Sequence, residues 1–379
     1  MSAAGKHSQP YPWEQRKLGE IFNERKEKSE NSNEQLLSVT INDGVVKSDT
    51  LDRKSNASKD RSNYKIVNPS DIAYNSMRMW QGALGVSSYH GIVSPAYTVI
   101  SVRNVGKDNP YFYKYSFKRS KSLNVFRKHS QGLTPDTWNL KYPLFKQIKY
   151  QVPLLIEQEK IGQLFQSLDK TITLHEEQHR QLEQLKKALL QKMFADETGY
   201  PALRFKGFTE KWEQRKLGET VVNIVAGGDI NKAELLSKGK YPVYANALTN
   251  NGIVGYYASQ YRIAAPAVTV TGRGDIGIAK ARDINFTPVV RLLAISSQHN
   301  NYFLENLINT HRSFAESTGV PQLTVPQLSN YKLYFPQKIN EEVFIGKLFK
   351  KMDHLTTLHQ HKIDNLKRLK RALLQKMFV

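Results

Sequence analysis

Basic, aromatic and amide side chains cluster in two separate stretches of this chain, residues 13–153 and residues 212–336. Arginine and lysine pair with guanine, asparagine and glutamine pair with adenine, and further positive charge binds phosphate. Each residue alone is also explained as part of a solvated surface, so the prediction of nucleic-acid contacts depends on the whole set. Its members are Arg78, Trp80, Tyr89, His90, Arg127 and Lys128 in the first stretch, and Tyr244, Asn246, Asn250, Arg273, Lys280, Arg282 and Arg312 in the second.

The charge of the chain also favours a polyanionic partner. The 379 residues carry a formal net charge of +21 and have a pI near 9.7. Residues 21–150 have a net charge of +10 and residues 220–335 of +4, whereas residues 157–194 are neutral. Nucleic acid is the simplest partner for such a surface. The alternative is a generally basic protein with no polyanionic ligand.

No group of residues predicts a catalytic centre. GRGDIG (272–277) fits a dinucleotide-binding pattern, but the helix that this pattern requires does not follow, so we interpret it as a tight loop presenting Arg273. NPYF (109–112) approaches a methyltransferase motif, but Tyr111 replaces a required proline. We interpret its surroundings as a basic aromatic loop.

Composition bounds the class of protein. The chain is 40% hydrophobic and has no cysteine, which excludes disulfides and thiolate-bound zinc and favours a reducing cytoplasm. No apolar run reaches the length of a membrane helix, and the first residues show no apolar core of a secretory signal.

The chain contains an internal repeat. WEQRKLGE occurs at residues 13–20 and again at residues 212–219, and ALLQKMF occurs at residues 188–194 and again at residues 372–378. The segments between these phrases differ in sequence and in length. The sequence therefore predicts a duplicated frame that carries two different inserts.

The two segments that end in ALLQKMF predict long helices. Apolar residues recur at intervals of three and four over about five heptads, and Pro153 and Pro336 lie just upstream. We expect an antiparallel coiled coil in which the polar middles, at His175 and His359, meet. Their meeting would set the register, and the alternative is that these histidines are simply tolerated at a weak point of the seam. No metal site is expected there. The predicted seam residues are Ile161, Leu164, Leu168, Leu182, Leu185, Leu189, Ile345, Leu348, Leu355, Leu366, Leu369 and Leu373.

The inserts read as short strands separated by turns, with one helical stretch in the second insert at residues 299–311. The predicted fold is α+β, with two globular domains of mostly antiparallel, curled sheet alternating with two long helices in a pseudo-twofold repeat. The predicted boundaries are a tail at 1–12, a domain at 13–153, a helix at 154–195, a linker at 196–211, a domain at 212–336 and a helix at 337–379.

With these features in hand, the chain resembles the specificity subunit of type I restriction–modification systems from Trp13 to Val379. WEQRKLGE, GDIGIA, STGVPQLTVPQL (317–328) and the LLQKMF helix ends are similar to that family, especially to its staphylococcal members. PSDIAYNSMRMW and GIVSPAYTVI resemble one type of its target-recognition domain. One departure is that PALRFKGFTEK precedes only the second WEQRKLGE.

The resemblance implies that each globular domain reads one half of a split, asymmetric double-stranded DNA target. It also implies that the helices bind two methyltransferase subunits, that restriction subunits join the complex, and that partners methylate adenine or cut DNA. The chain itself would be non-catalytic and cytoplasmic, and S-adenosylmethionine, ATP and Mg²⁺ would belong to the partner subunits. The alternative is a coiled-coil scaffold or adaptor that binds protein or RNA.

Overall fold

The computed structural model describes residues 12–29, 34–51, 60–247, 249–311 and 322–378. The chain divides into two compact units. The first unit comprises Met1–Leu174 and Lys362–Val379, and the second comprises His175–His361. Each unit therefore contains one globular domain together with a part of each long helix.

The first unit is built from ten short strands and several helices in its described part. Its strands are β1 Glu14–Lys17, β2 Phe22–Glu24, β3 Leu37–Thr40, β4 Gly44–Lys47, β5 Lys65–Val67, β6 Ile72–Asn75, β7 Leu84–Val86, β8 Gly91–Val93, β9 Tyr97–Val102 and β10 Lys149–Val152. Its helices are α1 Leu18–Ile21, α2 Pro110–Ser116, α3 Ser120–His129, α4 Tyr142–Phe145 and the beginning of α5 Leu155–Met193.

The second unit follows the same scheme. Its strands are β11 Glu213–Lys216, β12 Asn223–Ala226, β13 Tyr241–Tyr244, β14 Ile253–Tyr257, β15 Ala267–Thr271, β16 Ala279–Arg282, β17 Thr287–Pro288, β18 Leu292–Ser296 and β19 Lys332–Phe335. Its helices are α6 Leu217–Thr220, α7 Asn301–Thr310, α8 Val325–Ser329 and most of α9 Ile339–Lys376. The helix expected within residues 299–311 is confirmed as α7.

The sheets confirm the predicted α+β class. The largest sheet of the first unit has the order β2-β9-β6-β7, and that of the second has the order β12-β18-β15-β16. All of their strand pairs are antiparallel, and β13 with β17 forms a short parallel pair. Both sheets have the same connection order, in which the last strand lies between the first strand and the middle two. The two inserts therefore share a core sheet although their sequences differ.

The repeated phrase WEQRKLGE attaches each globular domain to the start of a long helix. Its strand pairs with the last strand of the domain, β1 with β10 and β11 with β19. The Trp13 indole donates to the Glu157 carboxylate at 3.2 Å, and the Trp212 indole donates to Glu341 at the same distance. The phrase is thus repeated because the same attachment is made twice.

The second attachment has an additional cation. Arg204 donates from Nε and Nη2 to the two carboxylate oxygens of Glu341, at 2.8 and 2.7 Å. Arg204 belongs to PALRFKGFTEK, which precedes only the second phrase, and the equivalent position in the first repeat is Gly5, outside the described residues. The sequence departure therefore corresponds to a definite ion pair in the second unit.

The NPYF stretch caps a helix, so its interpretation as a loop was wrong. The Asn109 side chain accepts hydrogen bonds from the backbone of Tyr111 and Phe112, at 2.9 and 3.4 Å, and α2 begins at Pro110. Asparagine before a proline at the first helical position is a strong start signal. Asn300 caps α7 in the same way in the second unit.

A glycine of each long helix lies against the capped helix. A Cβ added at Gly346 would lie 2.0 Å from Asn300 Oδ1, and one at Gly162 would lie 3.3 Å from the Phe112 nitrogen. The absence of a side chain at these equivalent positions lets the capped end of α7 or α2 approach the long helix closely. The approach is tighter in the second unit.

The two long helices pair antiparallel, as predicted. In the first unit Lys370 of α9 forms an ion pair with Asp169 of α5, and in the second unit Lys186 of α5 forms the equivalent pair with Asp353 of α9. His175 Nδ1 lies 3.1 Å from His359 Nδ1 in the second unit. This contact confirms that the polar middles of the helices meet.

The predicted seam requires correction at three leucines. Leu164, Leu185 and Leu369 are exposed, whereas the other predicted seam residues are buried or half-buried. Each helix packs against the core of a globular domain as well as against the other helix. Which of its side chains are buried therefore depends on both contacts. Leu164 is exposed while the neighbouring Phe165 is buried in the domain core, where it stacks on Tyr115 with 4.9 Å between ring centroids.

We expect Gly346→Ala to destabilise the second unit by about 1–3 kcal/mol, because the new methyl group overlaps the Asn300 cap. Gly162→Ala is the matched control, because its new methyl group would lie 3.3 Å from the Phe112 nitrogen, a tight contact without the overlap found at Gly346. Alanine also favours the helix by about 1 kcal/mol over glycine. Denaturant unfolding of the full chain measures both variants. Equal stability of Gly346→Ala and the wild type would contradict the close approach.

Candidate nucleic-acid interface

The loop that presents Arg273 is held by an asparagine side chain. Asn246 Oδ1 accepts hydrogen bonds from the backbone nitrogens of Gly272 and Arg273, at 2.7 and 3.3 Å, and its Nδ2 donates to the Arg273 carbonyl. No helix follows this loop, which confirms its interpretation as a turn between β15 and β16. The Asn246 amide is therefore occupied in positioning Arg273, a role different from the predicted base contact.

Arg282 is a buried cation. Only 6% of the residue is exposed, and its guanidinium lies 3.7 Å from the centroid of the Tyr244 ring. Nε donates to Thr269 Oγ1 at 3.0 Å and Nη1 donates to the Asn251 carbonyl at 3.2 Å. Burial lowers the pKa of Arg282 below its ordinary value because it disfavours the charged form.

Tyr244 lies beneath this guanidinium in the core of the unit. Its ring also packs edge-on against Phe286, with 5.4 Å between centroids. Tyr244 is buried and, unlike Arg282, does not line the small pocket of this unit, so the structure argues against its predicted direct contact with DNA. Its position instead supports Arg282 through a cation–π contact.

A small pocket in the second unit is lined by two of the predicted residues, Lys280 and Arg282. It has a volume of about 210 Å³ and lies between β15, β16 and the turn at Asn250 and Asn251. Lys280, Arg282 and Asn251 line it. Asn250 and Asn251 have left-handed backbone conformations, with φ of 49° and 54°. The Asn250 side chain donates to the Ile253 carbonyl at 3.1 Å.

Lys280 reaches the pocket from a charged surface. Its ammonium lies 3.7 Å from the carboxylate of Glu305, a residue whose pKa is raised by burial. Guanidinium, ammonium and amide groups around one cavity match a phosphate or the acceptor edge of guanine. The structure thus brings Arg273, Lys280 and Arg282 to neighbouring turns and strands of one sheet.

The predicted residues of the first unit fall into two groups. In the first group, α3 carries Arg127 and Lys128 and packs against the short 3₁₀ helix Met79–Gln81, which contains Trp80. Arg78 precedes that helix and donates to Gln81 at 3.4 Å. A cationic helix and an aromatic turn therefore share one surface.

Tyr89 and His90 form the second group, in the turn between β7 and β8. The Lys47 ammonium lies 5.3 Å from the Tyr89 ring centroid. His90 Nδ1 lies 2.7 Å from Asn68 Oδ1. Arg312, the remaining predicted contact residue, lies outside the described residues.

Sequence reasoning missed Trp138, which lies beside Trp80. The two rings pack edge-on with 5.2 Å between centroids, and the Trp80 indole donates to the Met77 carbonyl at 3.1 Å. Trp138 lies ten residues after Lys128 in the same basic insert, and that context was the available signal. Asn251 was missed as well, although it stands in the TNNG turn beside the predicted Asn250.

Within the described ranges, no three His, Asp or Glu residues are grouped as metal ligands. The same part of the chain contains no helix that is long and apolar enough to cross a membrane.

Arg282→Lys keeps the positive charge of the pocket but removes the planar guanidinium, which donates in two directions and stacks on Tyr244. We expect the affinity of the protein for duplex DNA to fall about 10-fold, in line with the 1–3 kcal/mol of a specific contact. Fluorescence anisotropy at fixed salt measures this. Arg291→Lys, at an exposed arginine of the same unit, is the control, and equal affinities of both variants would contradict the assignment.

Comparison with known proteins places this geometry in a family. The model of the type I restriction modification DNA specificity domain matches residues 10–184 and 209–368. A putative type I specificity subunit of Mycoplasma pneumoniae is 27% identical over 55% of this chain, and the match spans 55% of that relative's length. A type I restriction enzyme specificity subunit of Methanocaldococcus jannaschii is 22% identical over 82% of this chain and 78% of its own.

The fold has a solved counterpart. The crystal structure of a type I restriction–modification S subunit from M. genitalium aligns with a TM-score of 0.69 at 15% identity, covering 99% of this chain and 98% of the other. The two family matches each contain one globular domain and most of the long helix that follows it. The chain belongs to the family of type I restriction–modification DNA specificity domains.

Proposed function

We propose that this chain is the DNA sequence-specificity subunit of a type I restriction–modification complex. Each globular domain reads one half of a split, asymmetric duplex target, and the long helices bind two methyltransferase subunits. Restriction subunits join the same complex. The observation that carries the proposal is a frame whose contacts occur twice, combined with polar surfaces that differ between the two copies.

The repeated frame supports two equivalent partners. The tryptophan–glutamate bond, the capped helix against a glycine and the lysine–aspartate ion pair each occur once in either unit. A pseudo-twofold repeat offers the same surface twice, and identical partners then bind it equivalently.

Exposed leucines of the helices supply a matching apolar surface. The first unit exposes Leu174 and Leu369, at 55% and 47%, and the second unit exposes their repeat counterparts Leu358 and Leu185, at 52% and 51%. Exposed apolar side chains that recur at equivalent positions favour a protein interface over chance exposure. We assign one methyltransferase subunit to each pair.

The reading surfaces differ, which favours a target with two unrelated halves. The first unit offers paired tryptophans beside a cationic helix, whereas the second offers a buried arginine in a small pocket beside the Arg273 loop. Arginine in these settings suits guanine or phosphate, and the half-buried tryptophans suit apolar contacts with DNA.

The chemistry of methylation and cleavage belongs to the partners in this proposal. The chain acts without catalysis, and S-adenosylmethionine, ATP and Mg²⁺ bind the methyltransferase and restriction subunits. Within the cell the complex works in the cytoplasm, where the DNA is.

Methylation mapping tests the proposed function. Long-read detection of methylated adenines in cells with the methyltransferase partner, with and without this gene, should show one split motif that depends on the gene. Arg273→Ala should relax one half of that motif and Arg127→Ala the other, because each residue lies on one reading surface. Identical maps, with the protein present and assembled, would instead favour the scaffold or adaptor.

Serine at the exposed leucines tests the partner sites. Leu174→Ser with Leu369→Ser should leave a complex with one methyltransferase subunit, because only one apolar pair is removed. Native mass spectrometry measures the subunit ratio. Leu236→Ser, at an exposed leucine of the second globular domain, is the control. Full occupancy in the double variant would rule out this docking surface.

A further inference from the structure

A leucine at the tip of a loop in the first unit has no role in the fold. Leu133 lies in the connection from α3 to Leu140 and is fully exposed, at 101%. A single exposed leucine is ordinary on a protein surface. Leu133 differs from such a residue because its loop is held rigidly and its surroundings are basic.

The loop is held in a closed turn. Gln131 and Asn139 exchange two backbone hydrogen bonds, at 3.0 and 2.7 Å. Thr137 Oγ1 accepts from the Thr134 nitrogen at 3.1 Å. Gly132 has φ of 138°, and a Cβ there would lie 2.5 Å from the Thr137 carbonyl oxygen. Leu133 is therefore carried on a pre-organised tip.

The base of the loop is fixed to the globular domain. Trp138 packs edge-on against Trp80, and the Leu140 nitrogen donates to the Ser76 carbonyl at 2.8 Å. Met77, in the same turn as Trp80, is also exposed. The leucine thus projects from an anchored aromatic base.

The surroundings of the loop are strongly basic. Residues 118–141 contain six lysines and arginines and a single acid, Asp136. Arg127 and Lys128, at the end of α3, are exposed just before the loop. This charge complements the phosphates of a duplex and repels a basic protein surface.

We propose that Leu133 is a wedge that inserts between adjacent base pairs of the duplex read by the first unit. Apolar side chains that enter a base step unstack it and kink the DNA, while nearby cations hold the flanking phosphates. The inference rests on the proposed function and adds a specificity-determining residue to it. Leu133 would favour targets in which one base step is easily unstacked.

The test uses the full chain assembled with its methyltransferase partner, on a duplex carrying the mapped target. A fluorescent base analogue replaces one base at a time, excluding the methylated adenines. Fluorescence should rise several-fold at one step of the half-site read by the first unit. Leu133→Ser should abolish that rise, and Leu133→Met should retain it because its side chain remains long and apolar.

The control is Val105→Ser, which changes another exposed aliphatic residue of the first unit, 80% exposed, and should leave the fluorescence unchanged. The wedge proposal is overturned if no base step shows raised fluorescence in the wild-type complex. It is also overturned if the rise is unchanged in Leu133→Ser. Loss of methyltransferase binding in Leu133→Ser, seen by native mass spectrometry, also overturns it in favour of a protein contact. Methylation that still depends on this gene in these cases leaves the proposed function intact.

Discussion

The attachment of each globular domain to the start of a long helix is the contact on which the described architecture depends. Near the beginning of each helix, the carboxylate of Glu157 or Glu341 accepts a hydrogen bond from a tryptophan indole. That tryptophan directly precedes the first strand of the domain. One turn further along, a glycine admits the capped end of a domain helix. Strand, helix start and capped helix are joined within a few residues, so each domain is fixed to its helix independently of its own reading surface.

This arrangement explains why the frame and the inserts obey different constraints. The frame is restricted by specific contacts: Trp212 donates to Glu341, and Gly346 lies against Asn300. Each of the residues Trp212, Glu341 and Gly346 has a counterpart at the same repeat position in the first unit. Arg273, by contrast, depends on Asn246 and a local turn within the second sheet. A reading surface can therefore be remodelled without disturbing the attachment.

Much of the fold was predictable because periodicity and repetition report on backbone structure. The two long helices, five of the strands of the second insert and the meeting of His175 with His359 follow from periodicity, turn signals and the internal repeat, whereas β12 and β16 were not predicted. The exposure of Leu164 did not, because a heptad pattern contains no information about the domain core that takes Phe165. Asn109 was misread since its proline was weighed as part of a catalytic motif and its value as a helix start was overlooked.

The candidate interface was harder to predict, because residue type does not reveal which polar groups are already occupied. Asn246 and Asn250 were chosen as base-reading amides, yet both donate to backbone carbonyls of their own unit. Arg282 was chosen as a surface cation and is buried above Tyr244. The partners of Asn246 and Arg282 come from chain segments distant in sequence, and only the folded sheet brings them together.

The two lysine–aspartate pairs of the helices have a further consequence. In the repeat, Asp169 corresponds to Asp353 and Lys186 corresponds to Lys370. Asp169 pairs with Lys370, and Lys186 pairs with Asp353, so the same ion pair is made in both directions. This is the pattern of an isologous interface, in which the same patch serves on both sides. A single polypeptide thus carries the contacts of a homodimer, with the freedom to let its two halves diverge everywhere else.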